Sequence, residues 1–182
     1  MTRTYETRAM QKKERTIDLV ASRAAELEPW RAYLFGNRFA QIIVIKGDSD
    51  KGHSPEHAAF FGKDGEALEA AFFALGFEKN CWCGISLHAA EKKELSPGEV
   101  RLLIETVDPQ IILALDTAAM SILVNSYGTE MLPQIPKPGV KTRLLGRSLV
   151  YVNDFEAGLA SKTKEDGEAR HRVWKELKAL KS

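Results

Sequence analysis

Cysteine is scarce in this chain of 182 residues, where Cys81 and Cys83 are the only two. A structural metal site in a protein uses about four ligands, so two cysteines alone do not complete one. They lie two residues apart in the segment NCWCGISL, and residues at that spacing in a strand face the same way. Two interpretations follow: a pair that shares a metal or reacts together, or two buried thiols in a central strand. We expect the second, because free cysteine behaves as a small hydrophobic residue.

Long hydrophobic runs and a large net charge are also missing. No apolar run approaches the ~20 residues of a membrane span, and the N-terminal segment MTRTYETRAMQKKERTIDLV lacks the apolar core of a secretion signal. We therefore expect a cytoplasmic protein with no membrane partner. The formal net charge is +1, which excludes a global positive field that would attract nucleic acid but leaves room for a local basic patch.

Strand and helix patterns alternate along most of the chain. The hydrophobic content of 44% and the length suit a single domain, residues 1–182, on which an N-terminal helical segment, residues 1–40, packs. Alternation of this kind predicts an α/β protein with three layers, α/β/α, around a mostly parallel, four-stranded sheet. The predicted strands lie at residues 42–45, 81–87, 110–116 and 144–152.

Helix boundaries carry the clearest local signals. Asp64 is predicted to cap a helix that ends at Gly76, in left-handed conformation, with Phe77 packed over the last turn. In the next helix, Ser96 and Glu99 flank a proline and a glycine, which predicts a capping box.

Acidic residues follow three of the predicted strands. Asp48 and Asp50 follow the first strand, Asp116 the third and Asp154 the last. The carboxyl ends of parallel strands gather along one edge of a sheet, so these carboxylates are expected around one crevice. Such a cluster can hold Mg²⁺, orient a water or share protons, whereas Asp116 and Asp154 can equally well cap loops and helices. A metal-dependent hydrolase of a small phosphorylated substrate is therefore one candidate function.

Four segments carry a resemblance to a known family. They are IIVIKGDSD, AFFGKDGEALEAAFFALGF, ELSPGEVRLLIETVDPQIILALDTAAMSIL and RHRVWKELKAL, and together they extend over roughly residues 42–180. Their order resembles the uracil-DNA glycosylase superfamily, and most of all the branch typified by bacterial and archaeal iron–sulfur enzymes. In that family a Phe-x-Gly-x-x-Gly segment leads into a helix. The resemblance implies a uracil-DNA glycosylase-like fold, DNA as partner, and excision of a base.

The same resemblance implies a role for individual residues. It makes Asp48 the catalytic acid that orients a water, and it places Phe61 against the extruded base. The other residues that it assigns to substrate binding are Gly47, Asp50, Cys83, Asn153 and Asp154. The basic residues available for phosphate contacts are Lys141, Arg143, Arg147, Lys162 and Lys164.

The sequence departs from the family pattern at residues that carry the chemistry more than at residues that determine the fold. Two cysteines do not replace the four of the iron–sulfur branch, so we expect no cluster and no other cofactor or metal. The family's His-Pro motif is missing, and Asn153 and Asp154 stand near the expected histidine. Negative charge develops on a departing uracil, and an ionised Asp154 would oppose it. We therefore expect weakened or absent glycosylase activity; the alternative is a non-catalytic member of the fold that binds nucleic acid or protein.

Overall fold

The structure is a computed structural model and describes residues 18–47, 60–89, 93–132, 135–159 and 164–181, without the side chains of 164–166. The strands in this part are β1 (Leu34–Gly36), β2 (Ile42–Lys46), β3 (Trp82–Ser86), β4 (Ile111–Ala114), β5 (Thr142–Leu144) and β6 (Arg147–Tyr151). The α-helices there are α1 (18–27), α2 (Lys63–Ala74), α3 (Pro97–Val107), α4 (Thr117–Met131) and α5 (Lys164–Leu177). Short 3₁₀ turns occupy Glu28–Tyr33, Glu156–Gly158 and Lys178–Leu180.

All six strands form one sheet in the order β1-β3-β2-β4-β6-β5. The pairs β3–β2, β2–β4 and β4–β6 are parallel, and β1 and β5 pair antiparallel at the two edges. The chain is thus α/β, as expected, but the prediction of four strands is wrong. Two edge strands of three residues each are added by antiparallel pairing, and strands of that length leave little pattern in a sequence.

Buried residues cover both faces of the sheet. On one face, Ile43 and Ile45 of β2 pack with side chains of α3 and α4, and Leu27 of α1 belongs to the same cluster. On the other face, Ile42 and Val44 pack with side chains of α2 and α5. The continuous β-branched run of β2 is therefore explained by burial on both sides, which is typical of a central parallel strand.

The predicted capping box of α3 and the predicted left-handed end of α2 are both confirmed. Ser96 accepts a hydrogen bond from the backbone of Glu99, whose side chain accepts one from the backbone of Ser96. At the end of α2, Gly76 has φ +73°, and the N–H of Phe77 donates to the carbonyl of Phe72 at 2.9 Å, as in a Schellman motif. The ring of Phe77 meets that of Phe72 edge-on, with centroids 5.9 Å apart.

One capping prediction is wrong. The N-cap of α2 is Gly62, which makes no side-chain cap bond, and Asp64 lies within the first turn of the helix. Asp64 is turned inward and buried, where it binds Lys46. Its carboxylate thus binds a buried cation, and it also accepts the N–H of Gly65 in the first turn without being the N-cap.

Residues before β2 contribute to the sheet as well as to a helical layer. The aromatic segment after α1 forms a 3₁₀ turn and then β1, which extends the sheet beyond β3. Arg23 of α1 donates to the carbonyl of Val107 at the end of α3, at 3.2 Å. None of the helices in the described ranges is both long and apolar enough to cross a membrane.

Candidate functional site at the carboxyl edge of the sheet

The carboxyl ends of β2, β3, β4 and β6 lie at the same edge of the sheet, because these strands are parallel and in register. This edge is where open α/β sheets bind ligands. Asp48 and Asp50, the predicted catalytic acid and its neighbour, lie outside the described residues. The described part of the edge is formed by the strand ends and by the segments that follow them.

Asp116 holds two parts of this edge together. One carboxylate oxygen accepts the N–H of Gly47 at 2.8 Å, and the other accepts the N–H of Ala119 at 2.7 Å. Asp116 is therefore the N-cap of α4, as the capping interpretation has it, and also a clamp on the end of β2. Gly47 is buried against α4, where an added Cβ would lie 2.5 Å from that of Ala118.

The predicted metal interpretation gains no support from this geometry. Both oxygens of Asp116 already accept backbone N–H groups, which leaves it poorly placed to bind a cation. In the part of the chain that is described, no group of three or more His, Cys, Asp or Glu side chains is arranged to hold a metal ion.

Asn153 and Asp154 follow β6, and both are tied to local structure. The side-chain oxygen of Asn153 accepts a hydrogen bond from the hydroxyl of Tyr151 at 3.0 Å. The backbone N–H of Asn153 donates to the carboxylate of Glu176 at 2.9 Å. Asp154 is exposed, has φ +57°, and accepts the N–H of Ala157 at 3.1 Å. Its carboxylate therefore caps the short 3₁₀ turn after β6, as the capping interpretation predicts.

Two other predicted substrate residues belong to opposite faces of the sheet. The side chain of Phe61 is exposed and meets the ring of Phe35 in β1 edge-on, with centroids 4.9 Å apart. Cys83 is fully buried in β3, on the face covered by α3 and α4, and burial raises the pKa of its thiol to about 12. This burial agrees with the interpretation of Cys83 as a core residue and leaves it no surface for a ligand.

Among the residues predicted to contact phosphate, Arg143 and Arg147 lie away from this edge. Arg147 begins β6 at the opposite, amino edge, where it binds Glu105 and Asp108. Arg143 donates to the carbonyl of Gly146 within the same hairpin. Lys162 lies outside the described residues, as does the side chain of Lys164. Lys141 precedes β5 and is half-buried.

A buried cation that sequence reasoning missed lies at the end of β2. Lys46 is 3% exposed, and its ammonium binds Asp64 at 3.1 Å and also Glu156. Asp64 belongs to α2, whereas Glu156 begins the 3₁₀ turn after β6. The Lys46 cluster, composed of Lys46, Asp64 and Glu156, therefore joins three segments on the face covered by α2 and α5.

The charges within the Lys46 cluster stabilise each other. Burial alone would lower the pKa of Lys46, but the hydrogen bond to Glu156 and the charges of Asp64 and Glu156 raise it above its usual value. Burial alone would raise the pKa of Asp64, but the Lys46 ammonium and two backbone N–H groups lower it. Lys46 is thus held as a cation, which makes it a poor nucleophile and a good electrostatic anchor.

Asp64 also shapes the segment that leads into α2. One of its oxygens accepts the N–H of Phe60 at 3.0 Å. Phe60 is buried with φ +74°, a conformation that costs an L-residue about 1–2 kcal/mol. Its carbonyl would lie 2.0 Å from a Cβ at Gly65, and its ring would lie 2.5 Å from a Cβ at Gly84. Two glycines and one carboxylate therefore fix the position of one aromatic ring.

The signal for this segment was present in the sequence, since Phe60-x-Gly62-x-x-Gly65 is the Phe-x-Gly-x-x-Gly pattern. The aromatic residue at its first position is Phe60, whereas the resemblance places Phe61 against the base. The signal for Lys46 was weak, because a lysine after four β-branched residues is indistinguishable from an exposed strand end.

Comparison with known proteins adds no further assignment. The sequence matches no protein-family model, and no curated protein matches it significantly.

Proposed function

We propose that this chain is a divergent uracil-DNA glycosylase-like protein of the base-excision type, with weakened catalysis. The observation that carries the proposal is the Phe60–Gly65 turn. The pattern Phe-x-Gly-x-x-Gly has a physical reason in this chain, because Gly65 and Gly84 leave space for a backbone and a ring that any side chain would displace. The turn leads from the carboxyl edge of a parallel sheet into α2, as the resemblance implies.

The expectation of weak catalysis rests on Asp154. A hydrogen-bond donor at the departing base stabilises the negative charge that develops there, and losing one such donor commonly slows an enzyme by about 10²–10³-fold. Asp154 offers a carboxylate in the region where the resemblance implies a histidine, and this carboxylate is exposed and bound only to a backbone N–H among its described contacts. A negative group near the base would raise the barrier further.

The substitution Asp154→Asn tests this proposal. Asparagine tolerates the positive φ of residue 154 and keeps an oxygen for the N–H of Ala157, while the negative charge is removed. We expect uracil release from single- and double-stranded oligonucleotides to be slow in the parent protein and faster in Asp154→Asn. Release is measured by chromatography of free uracil, and Asp48→Asn is expected to abolish it.

Asp108→Asn is the matched control. Asp108 is also exposed with a positive φ, +51°, but it ends α3 at the amino edge of the sheet. Its substitution should leave uracil release unchanged. If neither the parent protein nor Asp154→Asn releases uracil at high protein concentration, the catalytic proposal fails, and the non-catalytic alternative, a nucleic-acid- or protein-binding member of the fold, takes its place.

A further inference from the structure

Positive charge is concentrated on the later part of α5, from Arg170 onward, and on the turn that follows it. Between residues 167 and 181 the basic residues are Arg170, Arg172, Lys175, Lys178 and Lys181, and the acidic residues are Glu168 and Glu176. All five basic side chains are exposed, whereas Glu176 is buried and accepts the N–H of Asn153. The exposed surface between Arg170 and Lys181 is therefore basic, although the whole chain carries a net charge of only +1.

Aromatic rings alternate with cations on one side of this surface. The Lys178 ammonium lies over the ring of Trp174 at 5.7 Å, and the Lys181 ammonium lies over the ring of Phe77 at 5.9 Å. Arg170 precedes Trp174 by four residues and so lies on the same side of the helix. We call Arg170, Trp174, Lys178 and Lys181 the α5 stripe.

The α5 stripe borders a groove between α2 and α5. The groove has a volume of about 680 Å³, and Arg170 and Trp174 line its α5 side. Alanines line its α2 side. At one end the negative charge of Glu66 is balanced by the positive charge of Lys63. A volume of this size lies within the range of ligand pockets, and small side chains on one wall leave access to the ring on the other.

We propose that the α5 stripe and this groove bind single-stranded nucleic acid, with phosphates along the cations and a base against Trp174. Sites for single strands combine a basic track with aromatic side chains on which bases stack. From Arg170 to Lys181 the helix and the 3₁₀ turn rise about 1.5–2.0 Å per residue, so the stripe extends over roughly 16–20 Å, enough for a few nucleotides of a single strand. The groove adjoins the carboxyl edge, because Phe155, Gly158 and Leu159, which follow β6, also line it. The inference goes beyond the proposed function, since binding a single strand on this surface requires no base excision.

A lipid surface fits the stripe less well. A helix that lies on a membrane inserts an apolar face, but Val173 and Leu177 of α5 are buried in the core. Only Trp174, half-buried, remains as an apolar group on the stripe. Trp174 also distinguishes the surface from one that only attracts an acidic protein, since it lines the groove and its ring offers a base a stacking partner.

The charge test uses the full chain and a labelled oligothymidylate of about 20 nucleotides, with binding followed by fluorescence anisotropy at about 50–200 mM salt. We expect Lys178→Gln/Lys181→Gln to bind at least about tenfold more weakly. The slope of log affinity against log salt should fall by about 1.4, which corresponds to two lost phosphate contacts on a single strand. The control Arg31→Gln/Lys137→Gln removes two exposed charges elsewhere and should bind like the parent protein.

The stacking test compares the same strand with an abasic one. The parent protein and Trp174→Phe should prefer the strand with bases, and Trp174→Leu should lose that preference. Thermal denaturation of each variant shows whether it is folded. The proposal is overturned if Lys178→Gln/Lys181→Gln binds the oligonucleotide as tightly as the control Arg31→Gln/Lys137→Gln does. It is also overturned if the parent protein binds duplex or abasic strands as tightly as the single strand with bases, or if vesicles with about a third of anionic lipid bind it better than the oligonucleotide does. None of these outcomes depends on uracil, so they are independent of the glycosylase test.

Discussion

A cation between two carboxylates occurs at both ends of the sheet, in very different surroundings. At the carboxyl edge, Lys46 and Asp64 are buried, and Glu156 is 30% exposed. At the amino edge, Arg147 is 12% exposed, and its partners Glu105 and Asp108 are 40% and 65% exposed.

The same chemistry should therefore have different consequences at the two ends. A buried charge depends on its partner, because water does not replace the partner when it is removed. An exposed pair competes with water and is screened by salt. The Lys46 cluster is thus expected to fix the geometry of the candidate site, and the Arg147 cluster to make a modest contribution to stability.

Lys46→Met should have the largest effect. The methionine fills a similar volume but leaves the buried carboxylate of Asp64 without its cation, which commonly costs about 3–5 kcal/mol. We expect the free energy of unfolding, measured by urea denaturation, to fall by this amount. A loss below about 1 kcal/mol would mean that water reaches Asp64 and that the two clusters are alike.

The double variant Lys46→Met/Asp64→Asn is the control for that substitution. It removes the charge that the first substitution leaves unpaired, while the asparagine oxygen can still accept the N–H of Phe60. We expect it to be more stable than Lys46→Met alone, with a coupling free energy between the two sites of about 0.5–3 kcal/mol. Simple additivity of the two substitutions would contradict a buried pair.

Acid should have a smaller effect on stability, and this effect should depend on the buried pair of Lys46 and Asp64. The pKa of Asp64 is lowered from its ordinary value of 3.8, so its contribution to stability is present above that value and is lost as the pH falls through the folded-state pKa. Without the ammonium, Lys46→Met should lose this contribution at a higher pH than the parent protein. The midpoint of thermal denaturation, followed from about pH 6 to about pH 2, measures the difference. Parallel curves for the two proteins would contradict it.

Arg147→Gln should have the smallest effect. The hydrogen bond from Arg147 lowers the pKa of the Glu105 carboxyl, but the exposure of Glu105 and Asp108 limits the contribution of these contacts to stability. We expect a loss of about 1 kcal/mol or less in urea denaturation, and a still smaller one at about 1 M salt. A loss as large as that for Lys46→Met, unchanged by salt, would remove the distinction between the two ends of the sheet.

The elements that sequence reasoning predicted are those with local causes. The capping box of Ser96 and Glu99 and the left-handed end at Gly76 each depend on residues within one or two helical turns. The run Ile42–Ile45 carries its own evidence of burial on both faces. Such features follow from the nearby sequence, so the class of the fold and the places of α2 and α3 could be predicted.

The features that were missed depend on residues distant in the sequence. Strand β1 is three residues long, and its partner β3 comes about fifty residues later, so only the pairing makes it a strand. The burial of Lys46 is decided by Asp64 and by Glu156, which is 110 residues away in the chain. The sequence position of Asp64 fits a helix cap, whereas its buried partner Lys46 lies 18 residues earlier and no local pattern connects the two.

The turn at Leu145 and Gly146 has a consequence for the order in which the sheet assembles. Both residues have positive φ, +48° and +85°, and they join β5 directly to β6. A hairpin of this kind forms in about 1–10 μs. By contrast, β2 and β4 are neighbours in the sheet with residues 47–110 between them, so their pairing must first close a long loop. The refolding rate is therefore expected to follow the central parallel pairs, long after the hairpin has formed.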